Sequence, residues 1–452
     1  MLVKIEVIPG NDNIVTLPPP LLKDLEKHVW IIFGAKKIKA QVNIPKDNNL
    51  QNQSTLSDIP IKIAMSNSLK NQLLIPEEIT YQIKLYKSQI ILGPVIGFLI
   101  SKNRDYYNIS FLNSNRDRME GYNQRGGLIC AFSLEKINWQ NKSAYGYYYN
   151  KNKNIWVEKK VPIPSVIYSR IFSIKPERIT KLKKLTKDRV FNSYRFTKYE
   201  LYEYFQKQEQ LIKYLPKTEL CKDIKQVTEF IENNNKVILK PINLSRGRGI
   251  CIIEKTNYGY RIFDYRKNTE KKHRVRNKKL LIHFLNDGIF LNQTYLIQKY
   301  ISLAKIESCP YDVRVVMQKV NKNKWGYIGE ECRVGQKTLL TNISRGGYAV
   351  SLKKAITKSF KEEDYEDIKT SIMQLCDKIC CHMDRAGEHF GELGIDIGID
   401  NEKKLWLIEI NVLPTFKGFK KLDYNLYLTL RSTPLQYAVS LTEFGDSYNE
   451  LV

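Results

Sequence analysis

Leu393-Gly394-Ile395-Asp396-Ile397-Gly398-Ile399 and Leu405-Trp406-Leu407-Ile408-Glu409-Ile410-Asn411 flank the polar stretch Asp400 to Lys404, and their reading decides the fold. Two β-branched, apolar runs around a short polar turn predict an antiparallel hairpin. With Asn401 to Lys404 as the loop, Asp400 faces Leu405, Asp396 faces Glu409 and Gly394 faces Asn411. Side chains alternate along a strand, so Asp396, Glu409 and Asn411 share one face, and Ile395, Ile397, Ile408 and Ile410 pack on the other. Two carboxylates and an amide oxygen held together repel unless a cation lies among them. Hard oxygen ligands on rigid strands suit Mg²⁺, which also recruits phosphates and water. Carboxylates that merely face water are the alternative.

Working back from the hairpin, Asp312-Val313-Arg314-Val315-Val316 puts Asp312 and Arg314 on one face of an apolar strand. Buried charges need partners. Either the two pair with each other, or the guanidinium fork takes a phosphate or carboxylate. Arg333 and Thr341-Asn342-Ile343-Ser344-Arg345-Gly346-Gly347 offer a guanidinium, an amide, hydroxyls and flexible backbone, fit for a substrate or for an ordinary polar turn. Tyr295-Leu296-Ile297-Gln298-Lys299-Tyr300-Ile301 reads as a buried strand of the kind that lines a base-binding slot, and equally as core. Val237-Ile238-Leu239-Lys240-Pro241 runs into Leu244-Ser245-Arg246-Gly247-Arg248-Gly249-Ile250, where two glycines let successive N–H groups converge on an anion beside the Lys240 charge. A simple hairpin turn is the other reading. The turn lies between strands and lacks a GK[ST] ending, which disfavours a Walker-type NTPase. Lys198 opens a helix capped by Thr197.

The 452 residues carry 42% hydrophobic content, enough for two to four domains. We expect β-rich barrel-like structure over residues 1–90, a small α/β domain over 91–180 and the nucleotide-type segments over 181–452. Within the first, Ile14 to Leu17 with Val29 to Phe33, and Ile61 to Ala64 with Thr80 to Leu85, form two similar strand–turn–strand units joined by the polar stretch Asp47 to Ser57. The second is marked by the buried strands around Ile90 to Ile100 and Gly127 to Phe132, followed by a hairpin around Asn150 to Asn154.

Eight scattered cysteines without a CxxC pair argue for reduced thiols, and Cys380-Cys381-His382 sits in a helical stretch with too few ligands for zinc. The chain shows neither a signal-peptide pattern nor a membrane-length apolar run, so we expect a cytoplasmic protein with no transmembrane segment. A net charge of +26 admits a polyanion partner, yet lysine, asparagine, isoleucine and tyrosine are abundant together, which is also a compositional signature. We read the densest basic cluster, Lys271 to Lys279, as a solvated loop. Nucleic acid is disfavoured because no recognition motif accompanies it.

Taken in order, Lys198, Lys240 with Ser245 to Gly249, Gln298 to Ile301, Asp312 to Arg314, Arg333, Asn342 to Gly347, Asp396, and Glu409 with Asn411 resemble the ATP-grasp superfamily. Arg333 and the Asn342 to Gly347 segment are similar to ribosomal-protein glutamate ligases and glutathione synthetases. Over residues 90 to 445, including Leu92 to Phe98 and Phe191 to Lys198, the chain resembles the YheC/YheD-type, endospore coat-associated proteins.

The resemblance implies an α/β (α+β) ATP-grasp fold that uses ATP and Mg²⁺. It implies that Lys198 and Lys240 contact phosphates under a loop containing Ser245, Gly247 and Gly249. Backbone at Gln298, Lys299, Tyr300 and Ile301 would bind adenine, although Lys299 stands where many relatives have glutamate. Asp312 would serve the ribose or orient Arg314. Arg314 and Arg333 would hold the γ-phosphate and substrate carboxylate beside Asn342, and Asp396, Glu409 and Asn411 would bind Mg²⁺. The implied reaction is ATP-dependent carboxylate–amine ligation through an acylphosphate, with both substrates unnamed and an acidic peptide or spore-layer component among the candidates. A non-catalytic ATP-binding or structural spore-coat-associated protein is the alternative.

Overall fold

The computed structural model describes residues 1–45, 60–99, 109–119, 122, 125–171, 176–244, 247–266, 270–288, 294–335, 341 and 346–445. Ser245, Asn342 and the linker from Asp47 to Ser57 lie outside the described residues.

Four β-structures follow in chain order. Seven strands close the N-terminal barrel, in which Leu2–Ile8 pairs parallel to Ile61–Ser66, and His28–Phe33 pairs parallel to Gln89–Gly93. The two similar units are present, but each is longer than strand–turn–strand. Ile14–Thr16 leads through the helical turn Pro19–Leu21 to the hairpin His28–Phe33/Lys36–Asn43. Ile61–Ser66 leads through helix Asn67–Leu73 to the hairpin Tyr81–Tyr86/Gln89–Gly93.

Beyond the cis bond Gly93–Pro94 the chain enters a mixed sheet ordered Ile155–Pro162, Ser143–Asn150, Leu128–Asn138, Val95–Leu99, Val166–Ser169, Val190–Phe191. One face of this middle sheet shares a core with the barrel through residues such as Val95, Cys130 and Ile167. The alternate residues Ile96, Phe98 and Tyr168 point the other way and are covered by Leu435, Tyr437 and Val439 of the long helix Tyr424–Ser440.

Two antiparallel sheets then face each other. The first runs Thr218–Leu220, Tyr295–Lys299, Lys236–Pro241, Ile250–Thr256, Gly259–Tyr265, Lys271–Val275, with helices Ile224–Asn234 and Lys278–Gly288 behind it. Its last strand corrects the reading of the basic cluster as a loop. Lys271, Lys272 and Arg274 are exposed on an edge strand, where charge discourages further pairing. The second sheet runs Tyr348–Val350, Lys324–Val334, Cys309–Asn321, Glu392–Ile399, Leu405–Asn411. Helices Leu352–Ser359 and Asp364–Asp384 bury its outer face against Ile395, Ile397 and Leu407. Cys376 and Cys380 belong to that core, Cys381 is exposed, and the described residues contain no group of three or more His, Cys, Asp or Glu fit for a metal.

Candidate functional site

The site grows from the hairpin Glu392–Ile399/Leu405–Asn411. Gly394 pairs with Asn411 and Asp396 with Glu409, as the alternation predicts. Nearer the turn the register differs: Ile397 faces Leu407 and Ile399 faces Leu405, so Ile408 is an extra, bulged residue. That corrects two expectations. The loop is one residue longer than Asn401 to Lys404, and Ile408 does not pack on the outer face. A side chain at Gly398, on the Asp396 face, would meet Ile408 Cδ1 at 3.1 Å. The bulge thereby gives the polar face an apolar patch.

Asn192, at φ 55°, locks this hairpin to the middle sheet. Its amide oxygen accepts from the N–H groups of Gly391 (2.8 Å) and Glu392 (3.1 Å), and its nitrogen donates to the carbonyls of Glu392 and Val412.

The neighbouring strands bring up the charges. Arg314 lies between Asp396 and Glu331 in register, and Asp312 lies opposite Arg333. A row Glu331, Arg314, Asp396, Glu409 therefore crosses four strands with alternating sign at its centre. Asp312 and Arg314 do not pair with each other. Arg333 donates Nε and Nη2 to Asp312, both at 2.7 Å, and Thr341 Oγ1 donates to the same carboxylate at 2.5 Å. Arg314 donates Nε and Nη2 to Asp396, the latter at 2.9 Å, and Arg333 Nη2 lies 2.9 Å from Asp396 Oδ2. Asn411 Nδ2 adds a donor at 3.3 Å. Burial raises the cost of charge on Asp396, but the two guanidiniums hold it below the ordinary carboxylate range. Gly394 makes room for this: a Cβ there would sit 2.7 Å from Pro414 Cβ and 3.4 Å from Arg314 Cδ.

Across from the row stands Lys240, whose Nζ donates to Gln298 Oε1 at 2.7 Å, while Gln298 Nε2 donates to Thr218 Oγ1 at 2.7 Å. Burial is the main reason that the Lys240 amine is pushed down to about 8, with Lys198 adding to the effect and Glu409 opposing it. Lys198 starts a helix closed by a reciprocal Thr197/Glu200 cap. It lies 3.6 Å from Glu409 and donates to the Leu244 carbonyl, tethering the start of the glycine turn. Gly247 and Gly249 take φ of 68° and 75°, and a Cβ at Gly249 would meet Pro241 Cγ at 2.5 Å.

Between the two sheets lies a cavity of about 530 Å³. Lys198, Lys240, Gln298, Arg314, Arg333, Asp396, Glu409 and Asn411 all line it. Its apolar end is formed by Leu201, Tyr202, Phe205, Leu215, Leu296 and Ile408. Lys299, Tyr300, Ile301 and Asp312 are outside the lining. The N–H groups of Lys299 and Tyr300 are already donated to Lys217 (2.9 Å) and Lys236 (3.0 Å).

Three contributors escaped the sequence reading. Glu331 is buried in the cavity wall, and burial pushes its carboxyl up to about 7. The pattern Glu331-Cys332-Arg333 mirrors Asp312-Val313-Arg314 on the adjacent antiparallel strand, a signal that would have found it. Gly418 abuts it: a Cβ there would fall 1.9 Å from Glu331 Oε2. Arg170 reaches the cavity from the middle sheet, fixed by Glu392 at 2.7 Å.

A family model described as YheC/D like ATP-grasp matches residues 187–441. The endospore coat-associated protein YheD of Bacillus subtilis (strain 168) is 26% identical over 427 residues, covering 89% of this chain and 88% of that protein. Endospore coat-associated protein YheC of the same organism is 24% identical over 303 residues, covering 64% and 81%. Among solved structures, D-alanyl-alanine synthetase A from Vibrio cholerae matches at a TM-score of 0.44 and 12% identity, over 75% of this chain and 97% of that one. The ATP-grasp ligase PsnB complexed with minimal precursor, Mg and ADP matches at 0.40 and 11%, over 79% and 97%.

Proposed function

The chain belongs to the YheC/D-like ATP-grasp family, and from that premise we propose that it is an ATP-dependent carboxylate–amine ligase acting through an acylphosphate. The observation that carries the reading is the charged row on one sheet facing Lys240 and the glycine turn on the other, with an apolar slot at one end.

The base would lie in the apolar end against Leu296, Gln298 and Ile408, and the phosphates would run past Lys240 and Lys198 under Gly247 and Gly249. Asp396, Glu409 and Asn411 present hard oxygen donors, few in number, as suits Mg²⁺. When bound, Mg²⁺ supplies neutralisation of the phosphate charge. Arg314, which donates to Asp396 at the head of the row, would be the guanidinium that meets the γ-phosphoryl group. Arg333 keeps its bidentate hold on Asp312, which orients it. A substrate carboxylate oxygen attacks the γ-phosphorus, the bond to ADP breaks, and the acylphosphate forms. A neutral amine nitrogen then attacks the carbonyl carbon, phosphate leaves with the bonding pair, and the nitrogen loses its proton to the departing phosphate. Arginines aimed at the transferring group lower its barrier by electrostatic stabilisation. A role in spore formation is part of the proposal, and its support is the two spore-coat relatives.

The second reading is a structural spore-coat protein that binds nucleotide without turnover. It is favoured by the barrel, none of whose described residues lines the cavity. ADP release from Mg-ATP, measured across a panel of amino acids and short peptides for the full chain and Glu409→Ala, separates the two. We expect substrate-stimulated release that is lost in the variant. Tight nucleotide binding with no stimulation across the panel overturns the ligase reading.

A further inference from the structure

Charge bookkeeping in the cavity wall leaves two groups over. Among the described residues that are buried or half-buried there, Arg333 is matched by Asp312, Arg314 by Asp396, Lys198 by Glu409 and Arg170 by Glu392. Among the described residues, Lys240 has only the neutral Gln298 as hydrogen-bond partner, and Glu331 forms no ion pair. Glu331 is 2% exposed, and its Oε2 has no hydrogen-bond partner among the described residues. Arg314 and Arg333 lie beside it but donate to Asp396 and Asp312. Lys417, next to Gly418, is exposed and makes no ion pair with it.

The two leftover charges sit at opposite ends of the row. Lys240 is on the Glu409 side. Glu331 lies three interstrand spacings from Glu409, about 14 Å at ~4.8 Å each. A lone buried carboxylate is costly unless a ligand completes it. The phosphate end holds the surplus positive charge, so the far end, beyond the arginines, calls for a cation.

We propose that Glu331 is the anchor for the ammonium group of the amine substrate, met where its side chain lines the cavity beside Arg314 and Arg333. This rests on the ligase reading and deepens it: the acceptor enters as a primary ammonium recognised by charge, gives its proton to the Glu331 carboxylate, and attacks as the neutral amine. Glu331 with its carboxyl raised toward neutrality fits a group whose charge is stabilised only when the cation arrives. Gly418 makes room for the carboxylate itself, which rests on it: any Cβ there would displace Glu331 from this position.

The test uses the full chain at saturating Mg-AMP-PNP, with saturation verified for each variant, and titrates L-alaninamide against L-lactamide, which has a hydroxyl in place of the amine. We expect wild type to bind alaninamide at least tenfold more tightly than lactamide, and Glu331→Gln to lose that preference. Gly418→Ala loses it as well, by moving the carboxylate rather than removing it. Removing an unpaired buried charge leaves the Glu331→Gln melting midpoint at or above wild type, which separates loss of recognition from loss of fold. Nucleotide saturation with equal binding of the two amides to wild type, or an undiminished preference in Glu331→Gln, overturns the Glu331 assignment alone. Failure of wild type to bind Mg-AMP-PNP overturns the ligase reading and this inference with it.

Discussion

Asp396→Asn tests the electrostatics of the site through the sign of its effect. An acidic metal ligand that repels Glu409 in the empty protein would, on neutralisation, stabilise the fold. The geometry predicts the reverse, because Asp396 is buried and accepts from Arg314 and Arg333. Removing one partner of a buried ion pair costs about 3–5 kcal/mol, chiefly by stranding the other charge. Arg333 retains both hydrogen bonds to Asp312, so Arg314 alone loses its partner, and with Glu331 opposite it the lower end, about 3 kcal/mol, applies. For a domain of this size that corresponds to a fall of about 6–12 °C in melting midpoint. The assay is thermal unfolding in EDTA without nucleotide. Arg314→Met with Asp396→Leu should recover part of the loss, since neither charge is then left alone. A midpoint for Asp396→Asn equal to or above wild type refutes the reasoning.

Lys240 is charged below about 8 and neutral above it, so Mg-AMP-PNP affinity is full at pH 7 and falls about tenfold by pH 9, whereas Lys240→Arg is flat across that range; calorimetric titration reads both. Gly249→Ala forces an L residue to φ 75° with its Cβ against Pro241, and nucleotide affinity by the same titration drops about tenfold as the turn is displaced. Glu392 has no exposed surface and joins Arg170, Tyr168 and Gln318 across the sheets. Glu392→Gln is expected to cost about 2–3 kcal/mol in denaturant unfolding, by the same loss of a buried charge partner.

The metal-type face was legible because strand alternation is a local rule, and Asp396, Glu409 and Asn411 obey it. The bulge was not, since an extra residue at Ile408 leaves no mark in composition. The expectation of a cation between the two carboxylates left out their protein partners: Arg314 and Arg333 reach Asp396, and Lys198 lies 3.6 Å from Glu409. Their reach depends on which strands neighbour which, a long-range fact that no window of sequence holds. Glu331 becomes legible only when Glu331-Cys332-Arg333 is set beside Asp312-Val313-Arg314, its partner in the sheet. Lys271 to Lys279 shows the limit of charge as a guide, because the same residues suit a loop and an edge strand.

The helix Tyr424–Ser440 has a consequence in time. The middle sheet has all its strands once Phe191 is made, but part of the cover for Phe98 and Tyr168, Leu435 to Val439, is still to come. At roughly 5–20 residues per second of synthesis, that apolar face waits about 10–50 s for its partner. A nascent chain arrested before Tyr424 should therefore bind holdase chaperones through the middle sheet, and should release them when the last helix emerges.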